Sequence, residues 1–158
     1  MIVIGIDPGL GGAIGFLKNG VFLGVEDMPI VSKGSGSVKY EVSPAGVKEL
    51  ILKHTSADDE VVAVLERVNA MPGQGVSSVF SLGDSFGCAR SVLACLGLET
   101  FYTTPVTWKK HFGIPADKEF SRALAVRTFP TAPLTLKKHV DRGEALLMAR
   151  WLYNTRYA

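Results

Sequence analysis

The chain has 158 residues, 47% hydrophobic and 20% charged, which fills the core of one compact domain over residues 1–158 and excludes a disordered chain. Its formal charge of +2 hides an asymmetry: residues 1–99 carry seven Lys/Arg against eleven acids, and residues 100–158 carry ten against four. A basic C-terminal third points to a polyanionic partner. No uncharged apolar stretch approaches the roughly 20 residues that cross a bilayer. The N-terminus opens on a strand-like run with neither a basic leader nor a small-residue cleavage site, which argues against secretion and for a cytoplasmic protein. Cys88 and Cys95 stand seven apart on a predicted helix, separated by about 10.5 Å of rise, too far for a disulfide. Neither has a partner at zinc-ligand spacing, so both read as buried, reduced thiols.

Met1 to Ile6 is a Val/Ile-rich run, the pattern of a strand buried on both faces. Asp7-Pro8-Gly9 interrupts it, and residues 11–17 read as a second strand. Asn19-Gly20 marks a hairpin into a third strand over Val21–Val25. Residues 28–41, rich in Gly and Ser and carrying Lys33, Lys39 and Tyr40, predict a mobile loop. Ser43-Pro44 has the chemistry of a helix start, with Val47, Leu50 and Ile51 as its apolar stripe. Val61–Leu65 is another buried strand, residues 69–76 a glycine-rich loop, and a long helix runs from Ser77 or Ser78 to about Leu96. On that helix Phe80, Phe86 and Leu93 predict a core-facing stripe, leaving another face for a second copy of the chain. A fifth strand over Leu98–Thr104, a short helix from Pro105, a helix capped by Asp117 and a last helix from His139 to about Tyr153 complete the chain. The order β-β-β-α-β-α-β-α-α-α predicts an α/β fold, a mixed sheet with helices on both faces.

Four acids fall where such a fold places chemistry. Asp7 ends the first buried strand and Glu66 follows the fourth; if those strands are parallel neighbours, both carboxylates emerge at one sheet edge. Asp141 and Glu144, at i and i+3 near the start of the last helix, share a face. Singly each has a plain reading, as turn chemistry for Asp7, a solvated strand end for Glu66 and helix-dipole partners for Asp141 and Glu144. Together they form a cluster that repels itself unless cations neutralise it. Oxygen-only ligands favour Mg²⁺, with Mn²⁺ as substitute, and two such ions suit phosphodiester hydrolysis.

The run Gly5-Ile6-Asp7-Pro8-Gly9, the Glu66 after a hydrophobic strand and the Asp141-x-x-Glu144-Ala-Leu pattern together resemble the RuvC Holliday-junction resolvases of the ribonuclease H-like (retroviral integrase) superfamily. The resemblance runs from residue 2 to about 153. It implies a ribonuclease H-like mixed five-stranded sheet, with the first three strands an antiparallel meander and the fourth and fifth parallel to the first. It implies a homodimeric, Mg²⁺-dependent endonuclease that nicks two opposed strands of a four-way junction, leaving 5′-phosphate and 3′-hydroxyl ends. Carried over residue by residue, Asp7, Glu66, Asp141 and Glu144 are the catalytic metal ligands, with two ions per site. Glu144 stands where the family more often has Asp. After Glu66-Arg67-Val68 the chain continues Asn69-Ala70-Met71, where family members often carry a junction-wedging aromatic, so here the wedge is either missing or replaced by Met71. The Met-Pro-Gly-Gln-Gly loop and Trp108-Lys109-Lys110 look closer to the phage and mobile-element type.

Basic residues supply the expected DNA contacts: Lys109, Lys110 and Lys118, then Lys138 and His139 just before Asp141. His139 is equally a candidate proton shuttle and a plain loop histidine. Trp108 reads as core before stacking platform, and Arg127, Arg150 and Arg156 as a solvated face. Three rivals accompany the resolvase reading. They are a broader nuclease acting on branched, flapped or hybrid substrates, a non-catalytic junction binder, and an actin- or sugar-kinase-like ATPase. The last needs two such domains around a nucleotide, so no nucleotide cofactor is expected.

Overall fold

Alternation along the central strands decides which face each residue meets. The computed structural model describes residues 1–158. In chain order its elements are β1 (Ile2–Asp7), β2 (Ala13–Lys18), β3 (Val21–Asp27), β4 (Ile30–Ser32), β5 (Tyr40–Val42), α1 (Pro44–His54), β6 (Val61–Glu66), α2 (Val76–Cys95), β7 (Glu99–Thr103), α3 (Pro105–Phe112), α4 (Lys118–Thr128) and α5 (Val140–Arg156). A single 3₁₀ turn, Lys137–His139, leads into α5.

The main sheet has five strands in the order β3-β2-β1-β6-β7. β1–β2 and β2–β3 are antiparallel, while β1–β6 and β6–β7 are parallel, so the expected mixed sheet is present. Ile2, Ile4 and Ile6 of β1 join Ile14 and Phe16 of β2 and Ala63 and Leu65 of β6 in one buried cluster with residues of α1 and α2. The intervening Val3, Leu17, Val62 and Val64 face the other way, into a cluster with Trp108 and residues of α4 and α5. A period of two thus separates two cores across one sheet.

The second core depends on glycine. Gly5 of β1 pairs with Gly15 of β2, and α5 lies directly across the pair. A Cβ on Gly5 would collide with the carbonyl oxygen of Ala145 and stand 2.8 Å from the Ala149 nitrogen; one on Gly15 would stand 2.9 Å from the Leu146 nitrogen. Two facing glycines flatten the sheet so that helix backbone can touch strand backbone. The buried run Ala145–Ala149, with Leu152, fills the space around this contact.

Helix starts follow the expected chemistry. The Ser43 hydroxyl accepts from the Gly46 N–H at 3.0 Å, and Asp117 accepts from the Glu119 N–H at 2.8 Å. Three expectations change. Residues 28–41 are not simply a loop, because β4 and β5 pair within them and anchor Met28 and Val42 in the first core. Phe80 is 73% exposed, since the first turns of α2 extend past the packed part of the sheet, while Phe86 and Leu93 reach the core as expected. Cys88 is half-buried and Cys95 exposed, both free, because their helix face borders the open groove between α1 and α2. No helix is long and apolar enough to cross a membrane.

Overpacking a core usually costs about 1–3 kcal/mol, and backbone collision puts this site at the upper end or beyond. Gly5→Ala is therefore expected to lower unfolding free energy in urea by about 3 kcal/mol or more. Gly11→Ala, which meets nothing within 4 Å, is expected to stay within about 0.5 kcal/mol of the parent.

Candidate metal centre

Parity and register together bring the acids to one place. Asp7 continues the β1 series Val3, Gly5, and Glu66 continues the β6 series Val62, Val64, so both point to the face covered by α5. The parallel register runs to Ile6↔Leu65, one step short of Asp7 and Glu66. The close seat of α5 on the glycine pair then lowers its first turn onto the ends of those strands. Asp7, Asp141 and Glu144 each offer a carboxylate oxygen, and these oxygens all lie within 4.8 Å of one another.

Glu66 is not one of that trio. Its Oε1 accepts a hydrogen bond from the indole Nε1–H of fully buried Trp108 at 3.0 Å. Burial raises the Glu66 pKa above the ordinary glutamate value, the Trp108 bond opposes this, and the Glu144 charge adds to the rise. Asp7, 9% exposed, is held well above the ordinary aspartate value by burial and then by Glu66, Asp141 and Glu144. Acids so placed cannot all carry charge without cations beside them.

Two lysines provide that charge in different ways. Lys109 was expected on DNA, but it is 7% exposed and turned inward. Its ammonium lies 2.9 Å from Glu144 Oε1 and donates to the Ala116 carbonyl at 3.1 Å. The Glu144 contact lacks hydrogen-bond alignment, which leaves that buried oxygen without a hydrogen-bond donor. Lys118 has a side chain 62% exposed, donates to Asp141 Oδ1 at 2.8 Å and lies 3.9 Å from Glu144 Oε2. Burial lowers the Lys118 pKa, but the Asp141 hydrogen bond and the charges of Asp141, Glu144 and Asp7 outweigh it, so the net shift is upward.

The remaining expected contacts are spread more widely. Lys110 and Lys138 are exposed, whereas His139 is 8% exposed with its Nδ1 accepting from the Leu136 N–H at 3.2 Å. Burial, then Arg142 and Lys138, lower the His139 pKa. Arg150 is not simply solvated, since its guanidinium lies 5.2 Å from the Phe129 ring centroid. Met71 is 63% exposed on the loop after β6.

Sequence reasoning missed two supports of the site. Trp108 secures Glu66, and Arg142, between Asp141 and Glu144 in the chain, grips Asp27 at the end of β3 through bonds of 2.7 and 2.8 Å while donating to the Pro133 carbonyl. The Trp beside Lys109 was a visible signal for the first; nothing local announces a pair separated by 115 positions.

The mixed sheet with this strand order and helices on both faces is a ribonuclease H-like fold. The fold is similar to that of solved RuvC structures: the chain superposes on Thermus thermophilus RuvC with a TM-score of 0.59 at 16% identity, covering 98% of this chain and 96% of that one. A second structure, T. thermophilus RuvC in complex with Holliday junction substrate, gives 0.60 at 16% identity, covering 99% and 97%. No family model and no curated protein matches the sequence.

Trp108→Phe keeps an aromatic ring but removes the only N–H on Glu66, so a stability loss of about 1–3 kcal/mol is expected by urea titration. Hydrogen bonding to Arg142 lowers the Asp27 pKa, so this pair's contribution is complete above the ordinary aspartate pKa and is lost as pH falls through the lowered value. Asp27→Asn is expected to melt below the parent at pH 7, with the gap closing in acid.

Proposed function

We propose that this protein is a Mg²⁺-dependent, structure-selective DNA endonuclease that resolves four-way junctions by paired symmetric nicks. The observation that carries the proposal is the Asp7–Asp141–Glu144 trio at the end of the central strands, with Glu66 beside it. The donor set fits a hard divalent cation: every ligand is a carboxylate oxygen, and buried Glu144 Oε1 has no aligned hydrogen-bond donor, its close contact being the Lys109 ammonium at 2.9 Å. Asp7, Asp141 and Glu144 would hold one ion, and Glu66 would complete the carboxylate set for a second. Such ions activate water and stabilise the leaving oxygen of a phosphodiester, and Mn²⁺ can replace Mg²⁺ in this role.

The chain's own residues do the rest. Trp108 orients the Glu66 carboxylate, Lys109 holds the Glu144 arm, and Arg142 ties the first turn of α5 to β3. Lys110 and Lys138 offer exposed positive charge for a DNA backbone, which attracts without reading sequence. The T. thermophilus structure solved with a Holliday junction supports a branched-DNA substrate here. Two cuts related by symmetry call for a homodimer, with one site facing each strand. A cytoplasmic location follows from such a substrate, and the phage or mobile-element type is the subgroup we favour. No nucleotide cofactor is required by this chemistry.

The decisive experiment is a cleavage assay on a four-way junction beside a Y-fork, a linear duplex and an RNA–DNA hybrid, with Mg²⁺, Mn²⁺ or EDTA. Selective cutting of the junction with divalent ion is expected. Equal cutting of all substrates would replace the resolvase with a broader nuclease, and binding without cutting under any metal would leave a junction-binding protein. Asp7→Asn is expected to cut at least about a hundredfold more slowly while retaining junction affinity. Because burial and like charge disfavour the Asp7 carboxylate, the same change is expected to raise the metal-free melting temperature and abolish stabilisation by Mg²⁺.

A further inference from the structure

The two lysines that neutralise the acidic trio differ in whether they can leave. Lys109 is anchored, with a side chain 9% exposed and its ammonium also committed to the Ala116 carbonyl. Lys118 is the first residue of α4, its side chain is 62% exposed, and its only hydrogen bond is to Asp141. Its position is otherwise unfavourable, because a helix N-terminus carries partial positive charge and disfavours a cation. The acids of α5, with the more distant charge of Asp7, hold Lys118 where it lies. Rotation of its exposed side chain into solvent breaks no hydrogen bond to the backbone.

Asp141 and Glu144, the two carboxylates that Lys118 approaches, both belong to the trio. We infer that Lys118 is an exchangeable counter-cation: it neutralises Asp141 and Glu144 in the metal-free protein and is displaced when a divalent ion takes their oxygens. The inference rests on the reading of the trio as a divalent-ion site. An ammonium left in place would face a doubly charged ion across one carboxylate, and that repulsion acts in a partly desolvated setting. Lys118 therefore weakens ion binding while it stabilises the protein without the ion. A lysine serving only the DNA backbone would have neither effect, and a merely structural one would stabilise both states alike.

The test is calorimetric titration of Mg²⁺ or Mn²⁺ alone into the wild type, Lys118→Met and Lys118→Ala, with melting temperatures measured with and without ion. Both variants are expected to bind the ion about three- to tenfold more tightly, in keeping with the modest worth of a half-exposed ion pair. Both should also melt lower without ion and gain more on its addition. Arg127→Ala, which removes the same charge from the far end of the same helix, should leave ion affinity unchanged. Equal or weaker ion binding by the Lys118 variants, or tighter binding by Arg127→Ala, overturns the inference and leaves the divalent-ion site standing. Absence of ion binding by wild type and variants alike removes the site itself.

Discussion

The fold turns on the contact between α5 and the Gly5–Gly15 pair. Backbone meets backbone there, at a distance no side chain permits. The seat fixes the height of the last helix over the sheet, and so the distance between Asp7 and the two acids near the start of that helix. A carboxylate cluster is self-repelling, and its approach has to be imposed by packing elsewhere. The apolar run Ala145–Ala149 supplies that packing immediately after Glu144. Adjacent residues of one helix thus provide the stabilisation and the repulsion it overcomes.

Around this contact the site is assembled in layers of decreasing rigidity. Asp7 and Glu66 leave neighbouring parallel strands on the same face, fixed by sheet hydrogen bonds. Trp108 and Lys109, consecutive on α3, each take one of the two glutamates, the acids with the longer and freer arms. Arg142 joins the first turn of α5 to β3 by a bidentate pair. Lys118 stands outermost and is held least. A charge-dense centre is thereby kept folded by internal cations before any ligand arrives.

Much of this was legible in the chain. The buried runs of β1 and β6, the Asn19-Gly20 hairpin and the i, i+3 acids of α5 are local patterns, and each led to the right element. The parity that aims Asp7 and Glu66 at the same face also follows from local alternation. What stayed hidden depends on distant partners. Gly5 and Gly15 are conspicuous inside apolar strands, yet only the seated helix explains them. Lys109 reads as an ordinary basic helix residue until its turn toward Glu144 is seen. β4 and β5 are three residues each and sit among glycines and serines, too short for period two to emerge. Phe80 obeys the helical spacing of a core residue but lies where the helix has outrun the sheet.

The trio draws on both ends of the primary structure, with Asp7 in the first strand and Asp141 and Glu144 in the last helix. During synthesis the strands and the first four helices are made before α5. A nascent or truncated chain lacking α5 holds Asp7 and Glu66 without the acids that complete the centre. The carboxylate centre is therefore incomplete until translation has passed that helix.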